Sequence, residues 1–440
     1  INITSSSQIS AINAGVLQEN FTASNVTLGS NSIVLDPEMV TLSGSAGIEQ
    51  INITASNNLS LGLNSISLIG QTIAADDIYI NQSGLGSSTF TLGTNVITAN
   101  GVTLSAHNVY INQQDISVAS GAINFGSNSI DLSASGAVHI ENAYISQTSI
   151  SASGVVYGND HISINGSYIT IDGGISIDQT TGNSIANNNV IFGQNSLYVN
   201  ATASDAAISL SGAMHIVEDS GISAGTATID VYGPGGITLG SDSIGSAYIA
   251  QTNLINTAGS ISIGADHINL ISTAGSVSAA GDIFISQGAI SASGDITLGG
   301  SINISAATTS AHNISVGNVY IDQNHLTAGT ISIGSDVISL VGNSITAGNT
   351  YINQSNLSAS GAVNLSGVSI KANTPGQLQL GGVYIEQSTI AGTGITFGND
   401  SISLIGSAIM ASGIYIDQSN LSANNNVIFG QNSLYVNATA

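Results

Sequence analysis

Five aspartates occur in a Gly-x-Asp pattern whose residue types suit two kinds of chemistry. Carboxylate oxygens bind hard divalent cations such as Ca²⁺, and Asx residues beside glycine also form turns through hydrogen bonds to the backbone. The Gly-Gly-x-Gly-x-Asp pattern of calcium-binding β-helices is absent from the sequence. We therefore interpret the pattern as turns, with divalent cations as the one alternative ligand and no other cofactor expected. The acids are Asp160, Asp242, Asp266, Asp336 and Asp400, and Asn takes the same place at Asn31, Asn64, Asn95, Asn128, Asn195 and Asn432.

Catalytic patterns are missing from the rest of the sequence. The seven histidines take different places in the chain, and none forms the His-x-x-x-His spacing of a zinc site. Polysaccharide lyases and hydrolases on β-solenoids generally combine clustered carboxylates with Arg or Lys, whereas Lys371 is the only Lys or Arg here. The sequence therefore predicts a protein that is not an enzyme and has no catalytic residues.

The charge balance argues against nucleic acids and anionic membrane surfaces as partners. One Lys or Arg stands against 25 acids, which gives a formal net charge of −24. Nucleic-acid binding depends on basic side chains that neutralise phosphates, and attraction to anionic membrane surfaces has the same requirement. No apolar run reaches the length of about 18 residues that a membrane span needs. We expect neither nucleic acid nor a membrane span.

The elements that position these residues are revealed by a recurring glutamine. Gln18 and Gln418 are the first and last of 13 repeats of about 33 residues, and Glu218 takes the place of glutamine in one repeat. The other members are Gln50, Gln82, Gln113, Gln147, Gln179, Gln251, Gln287, Gln323, Gln354 and Gln387. A period of this length is typical of solenoids, in which each repeat buries its apolar face only against its neighbours.

Residues around the glutamine predict the faces of a strand. An apolar residue, almost always Ile, stands two positions before it, and Tyr or Phe often stands three positions before it. Because alternate side chains in a strand face opposite sides, Ile and Gln share one face and Tyr lies on the other. The apolar residue three positions after the glutamine has the wrong parity for a straight strand, so a corner must fall between them.

Together these patterns predict an all-β fold, a repetitive β-solenoid or stacked β-arch array of about 13 rungs of about 33 residues. We call each rung a coil. Residues 186–203 and 423–440 are identical, so the single continuous array of residues 1–440 divides alternatively into duplicated lobes, 1–203 and 204–440.

Two ladders are predicted to carry the assembly. Ladders of identical amides form hydrogen bonds along a stack, which we expect of Gln82, Gln113, Gln147, Gln354 and Gln418. A row of exposed aromatic rings is typical of an interface, so we expect the tyrosine row to contact another sheet, another chain or carbohydrate. The alternative is that these rings face inward. The row contains Tyr79, Tyr110, Tyr144, Tyr351, Tyr384 and Tyr415.

The chain lacks the features that protect β-sheet edges. Soluble β proteins guard their edges with Lys, Pro or covering elements, but this sequence has one Lys and three Pro. It starts at Ile1 without Met, which we interpret as an extracellular protein after removal of a signal peptide. The absence of Cys excludes disulfides and thiolate metal sites but does not fix the compartment. About 16 Asn-x-Ser/Thr sequons, including Asn2, Asn52, Asn303 and Asn420, permit glycosylation, although this composition produces that number by chance.

Repeats such as YINQSNLSASG (351–361) and GSDVISLVGNSITAG (334–348) extend through essentially all 440 residues. In composition and style of repeat the chain resembles the amyloid-like sheath proteins of filamentous methanogenic archaea. That resemblance implies a structural subunit that builds hoops stacked into a tube around cells, and it transfers no functional residues. We expect a secreted homopolymer that forms a protective sheath or surface layer. The alternative is a β-solenoid adhesin or carbohydrate-binding stalk, with glycans as partners.

Overall fold

The computed structural model describes residues 1–4, 8–118, 122–152, 154–180, 190–204, 206–219, 224–256, 260–308 and 312–438. Within these ranges the regular structure is entirely β. A search of the same residues finds no helix of the length and apolarity that crossing a membrane requires.

Two compact units are distinguished within the chain. The first contains Ile1–Ala203, Ser209–Gly212 and Ile216–Gly221. Its strands are β1 (Asn2–Thr4), β2 (Gln8–Ala11), β3 (Ala14–Glu19), β4 (Thr22–Leu28), β5 (Asn31–Asp36), β6 (Met39–Leu42), β7 (Ala46–Leu61), β8 (Asn64–Ser87), β9 (Thr89–Leu92), β10 (Asn95–Val118), β11 (Ala122–Asn124), β12 (Asn128–Ala134), β13 (Ala137–Ser151), β14 (Gly154–Val156), β15 (His161–Gly166), β16 (Tyr168–Ile171), β17 (Ile175–Thr180), β18 (Val190–Ile191) and β19 (Asn195–Ala201).

The second unit contains Ser204–Ile208, Ala213–His215 and Ile222–Ala440, and residues of β20 (Ala207–Leu210) and β21 (Met214–Asp219) are divided between the units. The further strands are β22 (Ala227–Tyr232), β23 (Gly236–Leu239), β24 (Ala247–Thr252), β25 (Ile255–Asn256), β26 (Ile261–Ile271), β27 (Val277–Ala279), β28 (Ile283–Ala292), β29 (Ile296–Ser305), β30 (Asn313–Val316), β31 (Val319–Ala328), β32 (Ile331–Ile333), β33 (Val337–Val341), β34 (Ser344–Ala347), β35 (Thr350–Ala359), β36 (Val363–Leu365), β37 (Ser369–Asn373), β38 (Gln377–Gly392), β39 (Ile395–Phe397), β40 (Ser401–Gly406), β41 (Ala408–Ala423), β42 (Val427–Ile428) and β43 (Ser433–Ala438).

Strands of successive coils pair in parallel and in register. In the β31–β35 pair Tyr320 lies beside Tyr351 and Gln323 beside Gln354, and the next pair continues both rows to Tyr384 and Gln387. The predicted fold is confirmed: the chain is an all-β solenoid of about 13 stacked coils. Each repeat recurs because its side chains lie directly against the same side chains of the coil before it.

The interior of each coil is filled by aliphatic side chains. The Ile residues that precede the glutamines by two positions are fully buried, for example Ile80, Ile111 and Ile352, except Ile416, which is half-buried. Since each full burial of such a side chain stabilises the fold by about 1.5–3 kcal/mol, these rows are the main favourable contribution to stacking. The glutamines lie on the same face, as the strand parity predicted.

A left-handed residue forms the corner of each coil that the sequence predicted. In all eleven described coils at this position, the residue two places after the glutamine has a positive φ, between 53° and 62°. Most are small or polar residues, because short polar side chains tolerate this region better than others. They are Asn20, Asn52, Gly84, Asp115, Ser149, Asn253, Ala289, His325, Asn356, Thr389 and Asn420. This residue reverses the parity, so the following apolar side chain also faces inward.

Candidate functional site

The glutamines form a buried ladder with a fixed direction in each unit. In the first unit each Nε2 donates to the Oε1 of the glutamine one coil earlier, from Gln50 to Gln18 at 2.8 Å and onward to Gln179 at 2.7 Å. The second unit repeats the arrangement from Gln287 to Gln418. Gln82, Gln113, Gln147 and Gln354 are completely buried members of these ladders, and Gln418 is half-buried.

The Gly-x-Asx residues form a second ladder beside the first, with the opposite direction. Asn64 Nδ2 donates forward to Asn95 Oδ1 at 3.0 Å and sideways to Gln50 Oε1 at 3.1 Å. Asn95 repeats both contacts, to Asn128 and Gln82. Because each amide donates within one ladder and also bridges to the other, a one-coil register shift would break both sets of hydrogen bonds.

Four of the five candidate aspartates lie in this second ladder and are separated from one another by uncharged residues. Register places Asn128 and Asn195 on either side of Asp160, and Ala227 and Gly300 on either side of Asp266. Asp336 lies between Gly300 and Val368. Asp400 lies between Val368 and Asn432. No two carboxylates are therefore neighbours along the ladder, which limits their mutual repulsion.

Neutral groups donate to each of these four carboxylates. Asp336 Oδ1 accepts the backbone N–H of Gly300 at 2.7 Å, and its Oδ2 accepts Gln354 Nε2 at 2.7 Å. Burial raises the pKa of Asp336 to about 7 although these donors oppose the shift. Burial likewise raises the pKa of Asp160 to about 7, so protonation of these carboxyls is coupled to folding near neutral pH.

The interpretation of the Asx residues as turns is wrong for this ladder, because their side chains point inward and bind glutamine. Asp242 was also misassigned to the row. It lies apart from the ladder, where Oδ1 accepts the N–H groups of Ile244 and Gly245, and Oδ2 accepts the Tyr248 hydroxyl at 2.8 Å. Among the described residues no three His, Asp or Glu side chains form a group suited to a metal ion, and the five aspartates do not converge.

The tyrosines form a stack on the outer face, opposite Ile and Gln. Tyr79, Tyr110 and Tyr144 have ring centroids 5.1 and 5.0 Å apart and nearly parallel planes. In the second unit the stack runs without interruption through Tyr248, Phe284, Tyr320, Tyr351, Tyr384 and Tyr415. Between neighbours each ring covers the face of the next, so the exposed middle of the stack consists of ring edges and hydroxyl groups, whereas Tyr248 and Phe284 are buried.

Carboxylates accompany this aromatic stack. Tyr79 donates its hydroxyl to Glu49 at 2.6 Å. Burial against neighbouring rings, with added repulsion from nearby acids, raises the pKa of Tyr320 to about 12. The Tyr320 hydroxyl therefore remains a protonated donor at physiological pH.

Removing one ring from the aromatic stack should lower the stability of the fold. We expect Tyr351→Ala to lower the free energy of unfolding by about 2–3 kcal/mol, because it removes contacts with rings 4.9 and 4.8 Å away on either side. Tyr351→Phe is the control, and it should change stability by less than about 0.5 kcal/mol because Phe284 already occupies this stack. Urea denaturation measures both. Equal losses in the two variants would mean that the hydroxyl, and not stacking, carries the stability.

The last coil exposes apolar side chains that the same sequence buries elsewhere. The identical segments align Val190 with Val427 and Leu197 with Leu434. In the first copy these two residues are 2% and 0% exposed, whereas in the second they are 36% and 53% exposed. Residues 186–189 of the first copy and 439–440 of the second lie outside the described residues. Exposure therefore arises from position in the stack and not from sequence.

Sequence reasoning missed two inward features. The pairing of Asx with Gln was hidden because the spacing between them varies from Gln82–Asn95 to Gln179–Asn195. A short inner aromatic stack of Phe125, Tyr157 and Phe192 was also missed. Its signal is present, since each ring precedes the glycine of a Gly-x-Asx pattern.

Comparison of the chain with protein-family models, with curated proteins and with solved structures finds no match. Only the ladders, the aromatic stack and the exposed coil described above therefore bear on function.

Proposed function

We propose that this protein is an extracellular structural subunit that self-assembles through its strand edges into a protective cell sheath or surface layer. The observation that carries the proposal is that the same segment is buried where another described coil covers it and exposed where none does. Val427, Phe429, Leu434 and Val436 are exposed, whereas the matching residues of the first copy are buried, and burial of such side chains drives association.

The free edges have the hydrogen-bonding capacity for a second copy. Among the described residues, β41, β42 and β43 each pair on one side only, with β38, β39 and β40. Within the same residues, β2 and β3 pair only with β6 and β7. Unpaired strand edges recruit further strands. No row of Lys or Pro along these edges opposes such pairing.

The direction of the glutamine ladder favours head-to-tail addition. Gln18 Oε1 accepts from Gln50 at 2.8 Å, so its Nε2 points back toward a preceding coil. Gln418 donates its Nε2 to Gln387 at 2.7 Å and presents Oε1 forward. A second copy that placed its Gln18 on Gln418 would continue the same chain of amide bonds, whereas a head-to-head pair would place two donors or two acceptors together.

The adhesin alternative has less support from the aromatic stack. Carbohydrate packs against the open face of an aromatic ring, but the faces of Tyr320, Tyr351 and Tyr384 are covered by neighbouring rings at 4.8–4.9 Å. Ring edges and hydroxyls remain available for hydrogen bonds to another sheet. We therefore retain lateral packing of assembled stacks as the role of this surface.

A pair of cysteines tests the head-to-tail contact. The chain contains no Cys, so Leu17→Cys with Asp417→Cys introduces one defined pair. Both positions directly precede a ladder glutamine, and in-register strands bring their Cα atoms about 4.8 Å apart, within the range for a disulfide. We expect mild oxidation to convert assembled protein into a series of covalent multimers on non-reducing gels.

The matched control combines Leu17→Cys with Asp322→Cys, which occupies the same place in a coil far from the last one. This variant should give no multimer series. Electron microscopy of the unmodified protein is the accompanying measurement, and filaments, hoops or sheets are expected. A chain that remains monomeric at high concentration, with no cross-linking of the Leu17/Asp417 pair, would overturn the proposal.

A further inference from the structure

We infer that Asn356 and Asn420 are attachment sites for N-linked glycans. Both begin an Asn-x-Ser sequon, the acceptor pattern for this modification. The inference rests on the proposed extracellular function, since glycan transfer of this kind accompanies secretion. Among the many sequons in the chain, the structure separates these two by their geometry.

Each of the two asparagines lies at the left-handed corner of its coil. Asn356 has a φ of 53° and Asn420 a φ of 54°, and both side chains are exposed. Leu357, the middle residue of the first sequon, is 1% exposed and anchors the corner in the core. Ser358 and Ser422 are exposed on the strand that follows. The acceptor amide and the hydroxyl of the sequon thus both face solvent beside a fixed turn.

In most other sequons the asparagine side chain forms a hydrogen bond with a neighbouring residue of the stack. Asn353, three residues before Asn356, donates its Nδ2 to Asp322 Oδ1 at 2.8 Å and is half-buried. Asn200 donates to Asn165 in the neighbouring coil. A glycan at such a position would remove that hydrogen bond and separate the coils. Asn20 and Asn52 are corner sequons, but they lie in adjacent coils and contact each other at 3.4 Å.

Spacing also favours the chosen pair. The coil between Asn356 and Asn420 has Thr389 at its corner, so the two asparagines are two coils, or about 10 Å, apart. That separation leaves room for a sugar on each asparagine. Both would extend sideways from the same edge of the solenoid and leave the stacking surfaces of the coils free.

The modification is a group transfer from a sugar donor to the amide nitrogen. The donor is an oligosaccharide linked through phosphate or diphosphate to a polyprenyl lipid. A bond forms between Asn Nδ2 and the anomeric carbon while the bond from that carbon to the phosphate oxygen breaks. The lipid phosphate leaves with the electron pair, and the amide proton passes to a base of the transferase.

Two built-in controls make the test specific. Asn253 shares the left-handed corner, with a φ of 54°, but the residues Leu254 and Ile255 that follow give no sequon. Asn353 begins a sequon without a corner. Because trypsin has one site, at Lys371, protein from its natural source should be digested with pepsin and its peptides sequenced by mass spectrometry. We expect glycan on Asn356 and Asn420, and unmodified Asn253 and Asn353.

Unmodified peptides for both Asn356 and Asn420 would overturn the inference, and so would glycan on Asn353 as well as on the corner sites. In the natural host, Ser358→Ala should abolish the Asn356 glycopeptide and Ser358→Thr should retain it. Electron microscopy of the same samples separates this inference from the proposed function. An assembled polymer with unmodified corners rejects the inference alone, whereas a glycosylated chain that stays monomeric rejects the proposed function alone.

Discussion

Replacing Gln354 with leucine is expected to lower the free energy of unfolding by about 4 kcal/mol. The glutamine donates to Gln323 Oε1 at 3.1 Å and to Asp336 Oδ2 at 2.7 Å, and it accepts Gln387 Nε2 at 2.8 Å. Leucine fills a similar volume but leaves three buried polar groups short of a partner. Each unsatisfied buried group costs about 1–3 kcal/mol, and an uncompensated carboxylate costs more.

Gln379→Leu is the matched control, because this glutamine lies on the exposed face of β38. Surface changes of this type alter stability by less than about 0.5 kcal/mol. Urea denaturation of both variants measures the difference. A loss for Gln354→Leu no larger than that for Gln379→Leu would mean that the ladder fixes register without stabilising the coil.

Combining Gln354→Leu with Asp336→Asn measures how much of the loss comes from the carboxylate. With a neutral side chain at position 336, the leucine no longer removes a donor from a buried charge. We expect the combined loss to be smaller than the sum of the two single changes, since residues in direct contact are coupled.

The sequence predicted the coil better than it predicted the contents of the second ladder. The Ile-x-Gln rows are periodic because each copy packs on the last, so their faces follow from strand parity alone. The corner followed from the same parity, and its left-handed residue is Asn in five of the eleven described coils. Parity works here because it is a property of every strand and does not depend on loop length.

The hydrogen bonds between the Asx residues and the glutamines could not be predicted from the sequence because the loops between them vary in length. The path from Gln82 to Asn95 has 13 residues, whereas the path from Gln179 to Asn195 has 16, so pairing across a coil does not appear as one spacing. Asp242 was assigned wrongly for the same reason: it shares the local Gly-x-Asp pattern but lies in a longer loop that uses it to cap a turn. Local motifs identify residue types, while their neighbours across a coil depend on three-dimensional register.

Asp336→Asn is expected to change how stability depends on pH. Burial raises the pKa of Asp336 from 3.8, the value for an unburied aspartate in the unfolded chain, to about 7 in the folded chain. Between these two pH values the folded state therefore binds more protons than the unfolded state. The stability that the protonated group contributes is complete below about pH 4 and is lost as pH rises through 7. Each pKa unit corresponds to about 1.4 kcal/mol, so the free energy of unfolding should fall by about 4 kcal/mol over this window.

The asparagine variant should lose that part of the slope and should be more stable than the natural chain above pH 7. Asn195 indicates that asparagine fits the ladder, since it accepts the backbone N–H of Asp160 at 3.1 Å and donates to Gln179 at 2.8 Å. Asp295→Asn, an exposed change, is the control and should leave the profile unaltered. Urea denaturation from pH 4 to pH 8 measures all three proteins. If the stability of the natural chain instead rises from pH 4 to pH 8, the prediction is wrong. That result would mean that the hydrogen bonds of the ladder stabilise the ionised form of Asp336 more than burial destabilises it.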